Sequence, residues 1–455
     1  MIELSMAHTP KKQIIYICIS NSIINKEYRE FFPFNELAKT YEIITIFGKA
    51  IFKEDQKFVQ VKFHKFTRSI HAIIHYCIMW YRRYSSLAFK LRAYQYFGTK
   101  NEILATSNFG LYDGRKHKSA TTFFVRVFGN KFGISFLTKL LEFCFKIESR
   151  RKVNKVNFNK ALLLLPYHGG ISLEFDFLVW LSKKFNAQSI AVQQNWDNVS
   201  SKSFLFQHPT IFLTWGKQSS SHLRTIQAYT GEIKEIGSFR LNEFYSEKLK
   251  LESQSDEFRS SKNVGENLKI LVIGTGPGTF DYEIIKMIIK SMHDNSIKSY
   301  NITYRPHPYL VSKSGISESL KKLEGLKLNI PSSDEKNSQR VKIVLESDVI
   351  ISLYSTVLLE ATILNKTCII PAFIPGPKGY STGNFLDDFS HYSGLSSLGT
   401  INVANSSKEF FDTLTKFKSE ETQIHTSEKL LNWYCKNTDT AQVMTEILKK
   451  HHDLN

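Results

Sequence analysis

Cysteine is scarce in this 455-residue chain and never clustered. Cys18, Cys77, Cys144, Cys368 and Cys435 lie far apart, with no Cys-x-x-Cys and no Cys/His pair at zinc-ligand spacing. That excludes a disulfide framework and predicts reduced thiols in a cytoplasmic protein. Long apolar runs are missing as well, since no stretch reaches the roughly 18 apolar residues of a membrane span. The opening MIELSMAHTPKKQIIYICIS lacks the basic start and cleavage site of a signal peptide, so Ile14–Ser20 reads as a first buried strand. Repeats, low-complexity tracts, Walker loops and dinucleotide fingerprints are absent too. Acids are rare in one place above all: between Val61 and Lys160, 20 Lys and Arg face four acids, carrying +16 of the net +18. No nucleic-acid motif accompanies that charge, so the expected partners are anionic lipid headgroups or an acidic or diphosphate-linked acceptor.

What is present is enough apolar material, 42% hydrophobic and 13% aromatic, for more than one core. Strand-like and helix-like segments alternate from IIYICIS through YEIITIFG, and again through ALLLLPYHGG, ISLEFDFLVWLSKKF and SIAVQQ. This is the pattern of a parallel sheet flanked by helices. The stretch EKLKLESQSDEFRSSKNVGEN is polar, and a second alternating unit begins at LKILVIGTGPGTFDYEIIKMIIKSM. The expected fold is therefore α/β with two Rossmann-like lobes facing across a cleft. The first lobe spans 1–245 with a basic helical insert at about 61–160, followed by a linker at 246–267. The second lobe spans 268–425, and terminal helices at 426–455 return to the first. The apolar series Ile70, Ile73, Cys77, Trp80, Tyr84, Leu87, Leu91, Tyr94 marks one long helix with Arg82, Arg83, Lys90 and Arg92 off its stripe. Two readings stay open for it: a buried seam with a basic outer face, or an interfacial helix on anionic lipid.

Open parallel sheets bind ligands beyond the carboxyl ends of their strands. Gly274-Thr275-Gly276 follows LKILVI, where missing side chains let backbone N–H groups approach an anion. Arg305-Pro306-His307-Pro308 follows YNITY, and its prolines hold an Arg and a His ready for a phosphate. Ser355-Thr356 follows VIISLY, offering two hydroxyls at a helix start, with Glu360 one turn further on to accept from ribose hydroxyls. In the first half, SIAVQQ leads to Asn195, Trp196, Asp197 and Lys202, an acceptor platform with Asp197 as general base. Tyr167-His168-Gly169-Gly170 makes His168 a second catalytic candidate. No Asp-x-Asp pair follows a strand in the second half, and Asp387-Asp388 lies in a polar loop. No essential metal and no cofactor are expected at this site.

The run YRPHP, followed about forty residues later by SDVIISLYSTVLLEATILNKTCIIP, resembles the donor lobe of GT-B glycosyltransferases with an HP motif and a Ser/Thr pair. Bacterial sialyltransferases and polysialyltransferases have that pairing, and the CDP-glycerol glycerophosphotransferases are similar. The resemblance covers about Leu268–Phe373. It implies that His307 and Pro308 contact a nucleotide, Ser355 and Thr356 its phosphate, and Glu360 its ribose. The glycerophosphotransferases have Trp-His-Gly preceded by Gln and followed by Lys; this chain keeps Gln194, Trp196 and Lys202 but has Asp197 in place of the His. Tyr112-Asp113-Gly114 keeps half of the sialyltransferases' acidic pair before Gly, making Asp113 a third candidate base. The implied activity is a metal-independent transfer from a nucleotide-sugar, with a cytidine nucleotide favoured, onto a surface-glycan or lipid-linked acceptor at the inner membrane face. The alternatives are a polyol-phosphate transferase and a nucleotide-sugar epimerase of the same fold.

Overall fold

The computed structural model describes residues 13–19, 28, 30, 32–46, 58–59, 62–97, 119–152, 158–159, 161–169, 172–202, 204–253, 267–274, 281–294, 300–313, 318–332, 335–353, 355–374, 382–383, 386, 388–419 and 428–453. In chain order the first sheet takes β1 (Gln13–Cys18), β2 (Tyr41–Ile46), β3 (Phe58–Val59), β4 (Leu162–Tyr167), β5 (Gln188–Gln193), β6 (Ile211–Thr214) and β7 (Glu232–Glu235). Its strand order is β3-β2-β1-β4-β5-β6-β7, with every pair parallel. The second sheet has β8 (Leu268–Ile273), β9 (Tyr300–Arg305), β10 (Leu326–Leu328), β11 (Val349–Ser352), β12 (Thr367–Pro371) and β13 (Ile401–Ala404), ordered β10-β9-β8-β11-β12-β13 and again all parallel.

Strands covered on both faces must be apolar throughout, and β4, with sequence LLLLPY, is buried at every position. In each sheet the order reverses once, between β1 and β4 and between β8 and β11. A crevice opens where neighbouring connections leave in opposite directions, so these two places are where the fold offers a ligand site.

Helices α1 (Phe34–Thr40), α2 (Lys65–Tyr81), α3 (Leu87–Phe97), α4 (Ser119–Phe128) and α5 (Lys131–Lys152) precede β4; α6 (Leu173–Lys184), α7 (Lys217–Thr225) and α8 (Phe239–Ser253) follow it. The expected single helix from Ile70 to Tyr94 is two. It breaks at Arg82–Ser86, where Ser86 is extended and the Arg82 guanidinium donates to the carbonyls of Ile226 and Gln227 at 2.5 and 2.9 Å. Those bonds tie the end of α2 to the segment after α7 and leave the chain to turn before α3. Ile70, Ile74, Cys77 and Ile78 of α2 enter the core shared with α5, α6 and the sheet, so the seam reading holds for this helix.

The second lobe adds α9 (Asp281–Asp294), α10 (Pro308–Lys313), α11 (Glu318–Lys321), α12 (Asn337–Leu345), α13 (Val357–Ile363) and α14 (Ser407–Ser419), and the terminal helices α15 (Glu428–Tyr434) and α16 (Thr440–Asp453) follow it. Helix α8 continues to Ser253, through the first part of the expected linker, and packs against α12 and α13. One apolar cluster joins Trp196, Trp215, Leu241 and Phe244 to Leu271, Val341, Leu358 and Leu359. Met444 and Leu448 of α16 lie with Ile15, Leu162 and Ile190 in the core of the first sheet. No helix among the described residues is long and apolar enough to cross a membrane.

Trp196 is the wedge of the interlobe cluster. It is 2% exposed, its indole N–H donates to Gln218 Oε1 at 2.8 Å, and His391, Tyr392 and Tyr434 meet its ring edge to face. Truncation removes these contacts and leaves the Gln218 amide oxygen without its donor. Trp196→Ala is expected to cost about 3–5 kcal/mol of unfolding free energy in urea, far more than a surface substitution such as Lys342→Ala, which serves as control.

Candidate active site

The carboxyl ends of β8, β9 and β11 are level, because Ile273 pairs with both Arg305 and Ser352. The segment after β9 and the one after β11 thus flank Gly274 on one sheet edge, about two strand spacings (~10 Å) apart. Gly274 N–H donates to Arg305 O at 2.8 Å. A β-carbon at Gly274 would lie 2.7 Å from Asp281 Oδ2, 2.9 Å from Tyr304 Oη and 3.1 Å from the His307 amide nitrogen, so only glycine fits. Thr275 and Gly276 lie outside the described residues, as does Asp113. Pro308 opens α10 directly beyond His307.

From the first lobe, Gly169 brings the end of β4 against the loop after β5. Its φ is +71°, and a β-carbon there would come within 2.5 Å of Lys202 Cβ and 2.8 Å of Asn198 O. Residues Asn198–Lys202 form one π-type turn. Asp197 Oδ2 pairs with Lys202 Nζ at 2.9 Å, and Arg92 of α3 donates to Lys202 O at 2.6 Å. Arg92 therefore points into the cleft rather than outward as the helical stripe implied. Burial opposes ionisation of Asp197, but Lys202, His391 and Arg92 outweigh it and hold this carboxyl below its usual range. His168 is half-buried, and burial lowers its imidazole below the ordinary histidine range, leaving it a neutral base.

The two lobes meet electrostatically at His307. It keeps solvent access, yet the protein packed round it, with the positive Arg240 and Lys202, pushes its pKa below the ordinary value. Arg240, in the first turn of α8, donates to Asn195 Oδ1 at 3.3 Å and lies 3.8 Å from Glu360 Oε1. Arg340 of α12 donates through Nε to Glu360 Oε2 at 2.8 Å and pairs with Oε1 as well. Glu360 has no exposed surface, so its carboxylate faces two guanidiniums rather than open solvent.

Other expected residues have partners inside the protein. Arg305 pairs with Glu335 through both terminal nitrogens and also donates to Asn329. Ser355 Oγ accepts from Val357 N–H at 3.2 Å just ahead of α13, and Thr356 is half-buried beside it. Trp196 is covered on its faces and presents no surface for a sugar. The residues brought together at the cleft are thus His168, Gly169, Asn195, Asp197, Lys202, Gly274 and His307.

Sequence reasoning missed Arg92, Arg240, Arg340 and His391. Arg240 carried a usable signal, since it follows the last strand of the first sheet at the same carboxyl edge. His391 carried none; it is buried against Trp196, bonded to Ser200 Oγ at 3.1 Å, and burial brings its pKa down to about 4.

The architecture is that of GT-B proteins, two Rossmann-like α/β lobes closing on a cleft. No protein-family model and no curated protein sequence matches the chain. In fold it is similar to S. aureus MnaA, solved with UDP, at a TM-score of 0.51 and 10% identity over 97% of this chain and 98% of that one. A Listeria monocytogenes protein provisionally assigned as a UDP-N-acetylglucosamine 2-epimerase gives 0.51 and 10% over 98% of each chain. The wall teichoic acid polymerase TagF overlaps less well, at 0.45 and 12% over 97% of this chain and 89% of that one.

An anion bound at His307 raises the imidazole pKa, because the charged form gains a partner. Affinity for a nucleoside diphosphate then rises as pH falls through the raised pKa of the anion-bound imidazole and levels off below the depressed pKa of the free one. Titration calorimetry with UDP at about pH 7.5 and about pH 5.5 should show a larger gain for the wild type than for His307→Asn, up to tenfold per pH unit for one linked proton. The nucleotide's own titration is common to both proteins and cancels.

Proposed function

We propose that the chain is a GT-B transferase that takes a sugar from a nucleotide-activated donor and passes it to a lipid-linked or surface-glycan acceptor. The observation carrying this reading is the convergence of Lys202 and Arg240 from one lobe on His307 of the other, beside Gly274 at the carboxyl edge of the second sheet. Two cations on one side of a cleft, facing a histidine that an anion can protonate on the other, suit a phosphate whose charge grows as the glycosidic bond breaks. The nucleotide lies along the edge formed by Gly274, His307 and Ser355, and lobe closure excludes water from the reacting bond. His168, neutral and backed by the Gly169 turn, takes the acceptor proton. Asp197, already neutralised by Lys202, positions that lysine toward the phosphate. A cytidine donor remains the favoured nucleotide from the motif resemblance, with uridine as the rival.

The acceptor side is read from α4 and α5. Phe132, Phe136, Phe143 and Ile147 line one face of α5 and are 88%, 61%, 60% and 36% exposed; Phe123 and Val127 of α4 are 71% and 46% exposed. Lys139, Lys146 and Arg150 interleave with them on that face, while Leu137, Leu141 and Phe145 are buried on the other. Aromatic rings among lysines fit the interface of an anionic bilayer, where a fully buried side chain gains about 1.5–3 kcal/mol and each basic group adds about 1 kcal/mol. The lipid contact thus moves from the α2–α3 stripe to α5.

A second reading, nucleotide-sugar epimerisation, draws on the fold shared with the Listeria monocytogenes protein provisionally assigned as a UDP-N-acetylglucosamine 2-epimerase. Incubation with CMP-, CDP-, UDP- and GDP-linked donors, with and without membrane lipid extract, separates the two. Nucleotide release that requires an acceptor supports transfer; interconversion of the sugar without one overturns it. His168→Ala is expected to lower kcat by about 10²–10⁴-fold while leaving the nucleotide Kd within about threefold, whereas Asp197→Asn should chiefly raise that Kd. Phe132→Ser/Phe136→Ser/Phe143→Ser should abolish sedimentation with phosphatidylglycerol vesicles and leave the melting temperature unchanged, because all three rings are exposed.

A further inference from the structure

Beside the recess below His168 lies a cluster that the transfer chemistry does not use. Helix α2 presents His71 and His75, one turn apart and therefore on one face, and α6 presents Asp176 opposite them. The three residues are 2%, 4% and 2% exposed. Both imidazole Nε2 atoms approach the same oxygen, Asp176 Oδ2, at 2.7 and 2.9 Å, and all three donor atoms lie within 4.8 Å of one another. The other carboxylate oxygen, Oδ1, accepts from Gln207 N–H at 3.1 Å, which fixes the plane of the group. His75 Nδ1 is buried and has no hydrogen-bond partner among the described residues.

We propose that His71, His75 and Asp176 form a binding site for a divalent transition-metal ion of the zinc class. Two imidazoles from a His-x₃-His turn plus one carboxylate make a three-ligand set, and the adjoining recess lined by Tyr167, His168, Ser172 and Phe206 gives a fourth position to water. Nitrogen donors favour Zn²⁺ or Co²⁺ over Mg²⁺ and Ca²⁺, which take oxygen ligands. The second-sphere bond from Gln207 orients the carboxylate as outer-shell partners of metal ligands do. On binding, each imidazole presents its Nε2 lone pair and carries its proton on Nδ1, so the ion replaces two hydrogen bonds with coordination and no oxidation or reduction is involved. The ion lies under His168, where it would brace α2 against α6 beneath the acceptor side of the cleft.

The test uses the full-length chain, stripped with chelator and titrated with Zn²⁺ and then Co²⁺. One ion per chain by elemental analysis, visible d–d bands of a low-symmetry Co²⁺ site and a raised melting temperature are expected. His71→Gln/His75→Gln keeps amide donors facing Asp176, and so preserves the hydrogen-bonded arrangement; it should remain folded by circular dichroism and bind Zn²⁺ at least 100-fold more weakly. Asp176→Asn gives an independent second variant with the same expected loss. If the stripped wild type takes up no Zn²⁺ at micromolar concentration, or if these substitutions leave uptake unchanged, the cluster is a purely hydrogen-bonded core triad and the proposal falls. Neither result depends on donor turnover, so the metal site and the transferase reading fail separately.

Discussion

A single carboxylate without solvent contact, that of Glu360, holds the cleft in register. Arg340 reaches it from within the second lobe and Arg240 from α8 of the first. A buried carboxylate is costly unless paired, and removing one partner of such a pair leaves an uncompensated charge worth several kcal/mol. Sliding one lobe past the other at this point would strip Arg240 from Glu360 and leave Arg340 as its remaining guanidinium. That constraint fixes Arg240, and through it Asn195 and the positive field at His307. The apolar cluster around Trp196 and Phe244 supplies area, but the ion triad supplies direction.

The same logic runs through the loop after β5. Asp197 is ionised because cations surround it, and Lys202 is aimed because Asp197 holds its ammonium. Gly169 permits this only by having no side chain where the lysine stem passes. The loop is thus a charged device assembled from four sequence regions, 92, 168–169, 195–202 and 391. Charge outside the cleft has a different use: on α5 lysines and an arginine alternate with exposed rings, and the opposite face of that helix carries the core.

The sheets were legible because parallel strands covered on both sides must be almost continuously apolar, as LLLLPY is and as LKILVI is apart from the exposed Lys269. Residues just beyond strands were legible for the same topological reason, and His168, Lys202, Gly274 and His307 do gather at carboxyl ends. What could not be read was which polar groups are already taken. Arg305 looks like a phosphate ligand until Glu335 is seen against it, and Trp196 looks like a sugar platform until Tyr434 and His391 are seen on its ring. Both partners come from distant segments with no pattern of their own. The α2–α3 break also escaped notice, since its apolar period continues through Tyr84 and only the tie from Arg82 to the carbonyls of Ile226 and Gln227 shows the turn. The phenylalanines of α5 escaped for the converse reason: rings at helical spacing read as core, and here the core side is the other one.

The placement of Met444 and Leu448 beside Ile15 and Leu162 carries a consequence for biogenesis. The sheet whose strands leave the ribosome first lacks part of its hydrophobic floor until residues more than four hundred positions later have been synthesised. During translation that half of the molecule must wait with apolar surface uncovered, while the second sheet can assemble from contiguous segments. Of the two lobes, the one made first is the one finished last, because its core closes only when α16 has been made.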